Sequence, residues 1–315
     1  MEIVKSRRYL GLVISIKANF LQVELDSLDS AEESHLSYRR LLCTFRRRLH
    51  YYGSIAHVGD RVWVEEIDWQ HNRGVVSAIE SRDSLMDRPP VANVTQVIVA
   101  ISLQAPSFDL DQASRFLLTA EKIGLDVLFL LTKRDLINDD LLHKELTRLR
   151  QWGYRTLAVS VKNEEGISEL RSNISLTKLS VICGPSGVGK SSLINKLLPK
   201  ENITIAPLSR RLKRGKNTTR HVQLYKIGGQ SLIADTPGFN RPDLNINPNQ
   251  IAYCFPEIRN QLNKKPCKFR NCFHLDEPGC VIDRGWERYQ FYRRFLQEQI
   301  NPPFLDEANP NSTHQ

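Results

Sequence analysis

The sequence predicts an α/β protein with a small β-barrel before its α/β region and a short Cys- and His-bearing region after it. Three observations carry this. From residue 91 to about 240, apolar strand-like runs alternate with amphipathic helical patterns. Up to about residue 85, short strands are separated by Gly- and Asp-containing turns. Between 267 and 280, three of the chain's six cysteines crowd around one histidine.

In the first zone "RYLGLVISIKANFLQVEL", "LLCTFRRRL", "GDRVWVEEI" and "RGVVSAIES" read as strands at barrel-like spacing. The polar "DSLDSAEESHLS" reads as a loop. In the second zone "VTQVIVAIS" is a strand of the buried type, followed by a helix across "DQASRFLLTAEKIG" that Gly124 ends. "LDVLFLLT" is the next strand. "DDLLHKELTRLRQWG" is helical, with Asp139 as its expected N-cap and Gly153 as its stop. "YRTLAVSV", "ISELRSNI" and "LSVIC" continue the alternation. Such an order implies a parallel sheet covered on both faces. After 245 the chain turns Asn- and Pro-rich, passes the Cys/His cluster and enters "RGWERYQFYRRFLQEQI". The composition of the last fifteen residues predicts disorder. The expected domains are 1–85, 86–244 and 245–315, with no internal repeat.

The chain has 315 residues and a formal charge of +9, with 41% hydrophobic and 25% charged residues. That balance favours a polyanionic partner, either nucleic acid or an anionic surface. No apolar run approaches the ~18 residues of a membrane span. Lys17 interrupts the N-terminal apolar stretch, so a secretory signal is not expected. The cysteine pattern suits metal rather than a disulfide framework, which places the chain in the cytoplasm with reduced thiols.

"GPSGVGKS", Gly184 to Ser191, fits G-x-x-x-x-G-K-[ST] between an apolar strand and the helical "SSLINKLL". That context makes it a phosphate-binding loop. The loop Gly184, Pro185, Ser186, Gly187, Val188, Gly189, Lys190, Ser191 and Ser192 can turn its backbone N–H groups, which Pro185 alone lacks, toward phosphates at a helix N-terminus. Lys190 would neutralise the β- and γ-phosphates, and Ser191 would ligate Mg²⁺. Downstream, "SLIADTPG" ends a strand in D-x-x-G, Asp235 to Gly238, whose carboxylate can hold the Mg²⁺ shell. In "RGKNTTRHVQL" between them, Thr219 is the expected Mg²⁺ ligand, with Thr218 as the alternative.

"TKRD", 132 to 135, ends the strand "DVLFLLT". Ligands of such sheets bind at that edge. Asp135 can accept hydrogen bonds from guanine N1–H and its 2-amino group, which adenine lacks. Lys133 can lie over the base, and Ser160, Val161 and Lys162 can supply a loop that closes over it. The base-reading turn precedes the phosphate loop and the switch segments come last, a rotated order that a sheet of βα units tolerates. The last cluster, "CKFRNCFHLDEPGC", sets Cys267, Cys272, His274 and Cys280 at C-x4-C-x-H-x5-C. Three thiolates and one imidazole make a closed tetrahedral Zn²⁺ set, hence a structural site. Cys43, Cys183 and Cys254 read as core or surface residues.

This order of motifs, with "MDRPPVANVTQ" at the domain junction, resembles the circularly permuted GTPases of the ribosome small-subunit-dependent GTPase A family (RsgA, also called YjeQ or YloQ). The resemblance covers nearly the whole chain. It implies an OB-fold, a permuted P-loop GTPase domain and a zinc domain in series. It implies too a Mg²⁺-dependent hydrolase of GTP to GDP that acts late in assembly of the 30S subunit, stimulated by that particle. GTP and GDP, the 30S subunit and 16S rRNA are then the expected partners, with no membrane and a monomeric chain. Two positions depart from the pattern. Thr132 stands where Asn is the commoner guanine reader, losing an amide contact or replacing it with a hydroxyl. Asn217 gives "KNTT" where the family usually has "KHTT".

Phe239 follows D-x-x-G where many GTPases place a water-orienting Gln, which predicts slow turnover until a partner orders the switches. Lys190, Thr219 and Asn217 are the catalytic candidates, Asn217 as the group that would orient water. A non-catalytic RNA-binding assembly factor, with nucleotide as a structural or switch ligand, is the alternative; a membrane- or trafficking-type GTPase is disfavoured because lipidation signals and an apolar anchor are not seen in the sequence. Lys5, Arg7, Arg8, Arg39, Arg40, Arg46, Arg47, Arg48 and Arg61 in the barrel are the RNA-contacting candidates, with Tyr51, Tyr52 and Trp63 as stacking platforms. Arg288, Arg293 and Arg294 are the C-terminal ones. The stripe Trp286, Tyr289, Tyr292 and Phe295 suits helix packing.

Overall fold

Alternating burial along five strands closes the N-terminal barrel. They are β1 (Tyr9–Lys17), β2 (Phe20–Leu25), β3 (Arg40–Phe45), β4 (Arg61–Asp68) and β5 (Arg73–Ile79). Residues two apart share a face, so Val13, Leu21, Val23, Leu41, Cys43, Val62, Val64 and Val76 all point inward and are buried. Antiparallel pairs β1–β2, β2–β3, β4–β5 and β1–β4, with the parallel pair β3–β5, complete the closure. The computed structural model describes residues 7–26, 40–46, 55–87, 89–199, 222–236 and 245–301. The chain forms two compact units, 1–242 and 243–315.

A short ribbon, β6 (Leu85–Asp87) and β7 (Pro90–Ala92), docks the barrel onto the α/β sheet. The Ala92 N–H donates to Val58 O at 2.8 Å and Asn93 Nδ2 donates to Gly59 O at 2.9 Å. Gly59 has φ +93°, and a Cβ there would lie 2.2 Å from Ala92 O, so only glycine permits the approach. Arg82 grips the fully buried Asp60 with two nitrogens, at 2.7 and 2.9 Å.

Next come β8 (Gln96–Ser102), α1 (Leu110–Lys122), β9 (Asp126–Thr132), α2 (Asp139–Gln151), β10 (Arg155–Ala158), α3 (Ile167–Ser175), β11 (Leu179–Cys183), α4 (Lys190–Leu197), β12 (Gln223–Gly228) and β13 (Ser231–Asp235). The sheet order is β10-β9-β8-β11-β13-β12, continuing through β12–β1 into the barrel. Its first five strands are parallel. Every residue of β8 is buried, because helices cover both faces. One face packs Phe116, Leu117, Leu142 and Leu149; the other packs Leu170, Ile174, Leu193 and Ile194.

Gly124 and Gly153 lie just past the ends of α1 and α2 with positive φ. The cap of α2 is Asn138, not the expected Asp139. Asn138 has extended backbone and its side chain accepts from the Leu141 N–H at 2.9 Å. Asp139 is already helical, where its charge favours the helix N-terminus.

The second unit carries α5 (Pro248–Ile251), α6 (Pro256–Lys264) and α7 (Tyr289–Ile300). Its core is aromatic: the Phe255 ring meets Tyr292 edge-on at 5.4 Å and Trp286 at 5.5 Å. Tyr289, Tyr292 and Phe295 are buried on one face of α7, the packing role read from their spacing. Cys43, Cys183 and Cys254 are buried. Among the described residues no helix is long and apolar enough to cross a membrane.

Candidate functional site

Parallel strands bring the carboxyl ends of β8, β9, β10, β11 and β13 to one edge of the sheet, and the loops after them meet there. The loop after β11 starts at Gly184, whose φ of +143° and whose closeness to Ala100 O (2.0 Å from an added Cβ) exclude any side chain. It ends at the start of α4, so the helix N-terminus faces the same space. The Lys190 ammonium folds across its own loop, donating to Gly184 O at 2.7 Å and Pro185 O at 2.8 Å. Burial pulls the Lys190 pKa down, while Cys183 and Asp235 act the other way. Burial pushes Asp235, at the end of β13, up, and Lys190 opposes that. Pro185 and Val188 are buried, Gly189 half-buried, and Ser186, Gly187, Ser191 and Ser192 exposed. Thr236, which sequence reasoning missed, is buried and donates to Ile182 O at 2.9 Å, pinning the strand end beside the phosphate loop.

At the end of β9 and in the turn after it, four successive residues reach three different loops. Thr132 is 6% exposed, and its single hydroxyl proton is committed to Val188 O (2.8 Å) and Ile101 O (3.2 Å). The sequence places Thr132 among base-contacting groups; the structure turns its hydroxyl inward onto the phosphate loop. Lys133 has left-handed backbone, and its Nζ donates to Ala105 O in the β8–α1 loop. Arg134 pairs with Asp139 at 2.6 Å and with Glu165 at 2.8 Å. Asp135 accepts from Ser160 Oγ at 2.7 Å. Ser160 is itself fully buried; its N–H donates to Glu165 O at 3.0 Å, and its Oγ accepts from the Asn163 N–H at 3.1 Å. Val161 is half-buried and Lys162 exposed.

The second unit carries a separate cluster. One donor atom from each of Cys267, Cys272, His274 and Cys280 lies within 4.8 Å of the others. His274 Nδ1 is 3.5 Å from Cys267 Sγ and 3.6 Å from Cys280 Sγ. Burial pulls the His274 imidazole down, with Glu277 opposing, which favours the neutral form that offers a lone pair. Burial pushes the Cys272 thiol up to about 12, a penalty that a cation among the sulfurs would reverse. The donor set fits a closed metal site. Its backbone is held by polar ties: the Tyr289 hydroxyl donates to His274 O at 2.9 Å and that of Tyr292 to Phe273 O at 2.5 Å. Glu277 accepts from the Phe273 and Leu275 N–H groups at 2.8 and 2.9 Å, fixing the turn around His274.

Arg288 is a correction. Expected at a nucleic-acid surface, it is fully buried, pairs with both oxygens of Glu257 (2.7 and 2.5 Å) and lies 5.1 Å over the Phe255 ring. Arg293 is half-buried, and Arg294 lies 3.9 Å from Glu298. In the barrel, Arg8 and Arg46 share Glu65, Arg40 meets Glu24, and Arg61 meets Asp26. Arg7 sits over the Tyr9 ring, and Trp63 is half-buried. Sequence reasoning overlooked Lys264, Lys265, Lys268 and Arg270, all exposed, around Phe269, which is 47% exposed. The run "NKKPCKFR" carries that signal. Lys5, Arg39, Arg47, Arg48, Tyr51, Tyr52, Asn217, Thr218, Thr219, Gly238, Phe239 and the tail after 301 lie outside the described residues.

A family model described as RsgA GTPase matches residues 79–245. A small ribosomal subunit biogenesis GTPase RsgA of Prochlorococcus marinus (strain MIT 9303) is 53% identical over 306 residues, covering 95% of each chain. One of the same name from Synechococcus sp. (strain CC9311) is 51% identical over 290 residues, covering 92% of this chain and 94% of the relative. Among solved structures, YjeQ from Thermotoga maritima superposes with a TM-score of 0.76 at 29% identity, over 94% of this chain and all of that one. YloQ, described as a circularly permuted GTPase, superposes with a TM-score of 0.74 at 26% identity, over 96% of this chain and all of that one. The chain belongs to the RsgA GTPase family.

Proposed function

We propose that this chain is a GTP hydrolase acting in biogenesis of the small ribosomal subunit, where it binds 16S rRNA and is stimulated by the 30S particle. The observation that carries the reading is the meeting of a phosphate loop and a base-reading turn at one sheet edge, joined by the 2.8 Å Thr132–Val188 hydrogen bond. GTP would sit with its phosphates on Gly184–Ser192 and its base against Asp135, Lys133 and the Ser160–Lys162 loop. Mg²⁺ would be held by Ser191, Asp235 and Thr219, with Gly238 sensing the γ-phosphate. Lys190 would leave its own loop carbonyls for the phosphates and, with Mg²⁺, neutralise the charge of phosphoryl transfer. Asn217 is the candidate for orienting water.

One structural Zn²⁺ on Cys267, Cys272, His274 and Cys280 accords with the donor set. The working organisation is three domains, 1–85, 86–244 and 245–315, in a monomeric cytoplasmic protein. Exposed cations on the barrel and around Phe269 are the groups suited to rRNA. The test is multiple-turnover GTP hydrolysis by the full chain, alone and with 30S, 50S or 70S particles. Slow intrinsic turnover, stimulation by 30S above the other particles and loss in Lys190→Ala are expected. ATP preference, or turnover that survives Lys190→Ala, would overturn the reading.

A further inference from the structure

The guanine contacts expected of "TKRD" use its first, second and fourth residues and leave Arg134 without a task. Its guanidinium is nonetheless held on two sides. Nη1 reaches Glu165 at 2.8 Å and Nη2 reaches Asp139 at 2.6 Å, while the backbone N–H of Arg134 donates to Val159 O at 3.1 Å. Glu165 lies in the loop that carries Ser160, and its carbonyl accepts the Ser160 N–H. Ser160 Oγ in turn meets Asp135, the next residue after Arg134. A circuit therefore closes from the Arg134 side chain through Glu165 and Ser160 to Asp135 and back to Arg134.

We propose that Arg134 is a positioning residue for base recognition, which clamps the 160–165 loop against the turn so that Asp135 is aimed before nucleotide arrives. The inference rests on the GTP-site reading above. A planar fork can address two carboxylates in fixed directions, which a lysine ammonium cannot. The Arg134 side chain is 27% exposed and that of Glu165 41%, so solvent screens the pair. Its loss then corresponds to about a two- to five-fold effect rather than a collapse of binding.

The experiment uses the full chain and measures dissociation of a ribose-labelled fluorescent GDP, chased with excess GDP, and competition by IDP. The IDP base lacks the 2-amino group that Asp135 would take. Arg134→Ala and Glu165→Gln should each speed dissociation about two- to five-fold. The double variant should add little to either single one, since both open the same circuit. The preference for GDP over IDP should narrow, and Arg134→Lys should not restore it. Unchanged rates, additive losses, or equal losses for GDP and IDP would overturn the proposal, the last by pointing to a loosened fold. A wild-type chain that forms no complex with the labelled GDP would instead overturn the GTP-site reading itself.

Discussion

The loops at the sheet edge and the turns of the Cys/His cluster are both irregular backbone, yet they are held by different means. At the sheet edge the loops leave strands packed against helical layers, with β8 and β11 buried throughout, so their starting points are set by a large apolar core. Thr132, Ser160 and Thr236 then add single hydrogen bonds between neighbouring loops. The Cys/His turns have no such sheet. Two tyrosine hydroxyls and one carboxylate hold them, and the buried Arg288–Glu257 pair ties together the helices beside them. Where apolar burial sets the frame, one polar tie is a refinement. Where the frame is small, polar ties supply it, and a metal on the four donors would add to them.

Metal removal should break this comparison most sharply. Chelation, or Cys272→Ser, should cost on the order of 10 kcal/mol of coupled binding and folding in the second unit. The near-ultraviolet circular dichroism of its clustered Tyr and Trp rings should fall, with loss of one equivalent of zinc, while binding of fluorescent GDP persists. A dichroism signal that survives chelation would show that the aromatic core suffices alone.

Glu257→Ala is the next largest. It strands a fully buried guanidinium, which typically costs about 3–5 kcal/mol. Calorimetry should show a lowered transition for the second unit only. Replacing Arg288 and Glu257 together by Met and Leu should recover much of the loss; if it does not, the pair has a role beyond packing.

Smallest is Thr132→Val, which keeps the volume and removes one buried hydroxyl. About 1 kcal/mol is expected, read as a several-fold rise in the GDP dissociation constant with little change in melting temperature. A drop in melting temperature equal to the binding loss would place Thr132 in the general core.

Much of the fold and the site was legible in the residues for identifiable reasons. β8 and β11 are mostly apolar runs buried along their whole length, and the Gly-rich loop after β11 has a spacing that few other chemistries need. The cap of α2 was misplaced by one residue because Asn138 and Asp139 both cap well, and only backbone conformation separates them. Arg288 was misread because a sequence shows charge but not the carboxylate 31 residues earlier that allows its burial. Phe269 and its lysines escaped notice because the residue pattern of an exposed aromatic resembles that of a core one.

By itself the sequence determined the strand and helix order, the rotated succession of motifs and the four residues of the candidate metal cluster, since periodicity and spacing are local properties of a chain. Tertiary structure alone decided that Thr132 serves the phosphate loop, that Arg134 joins two loops and that Arg288 lies in a core. Those roles depend on partners distant in sequence, and a side chain's hydrogen bonds and ion pairs are settled by what the fold brings within about 3 Å of it.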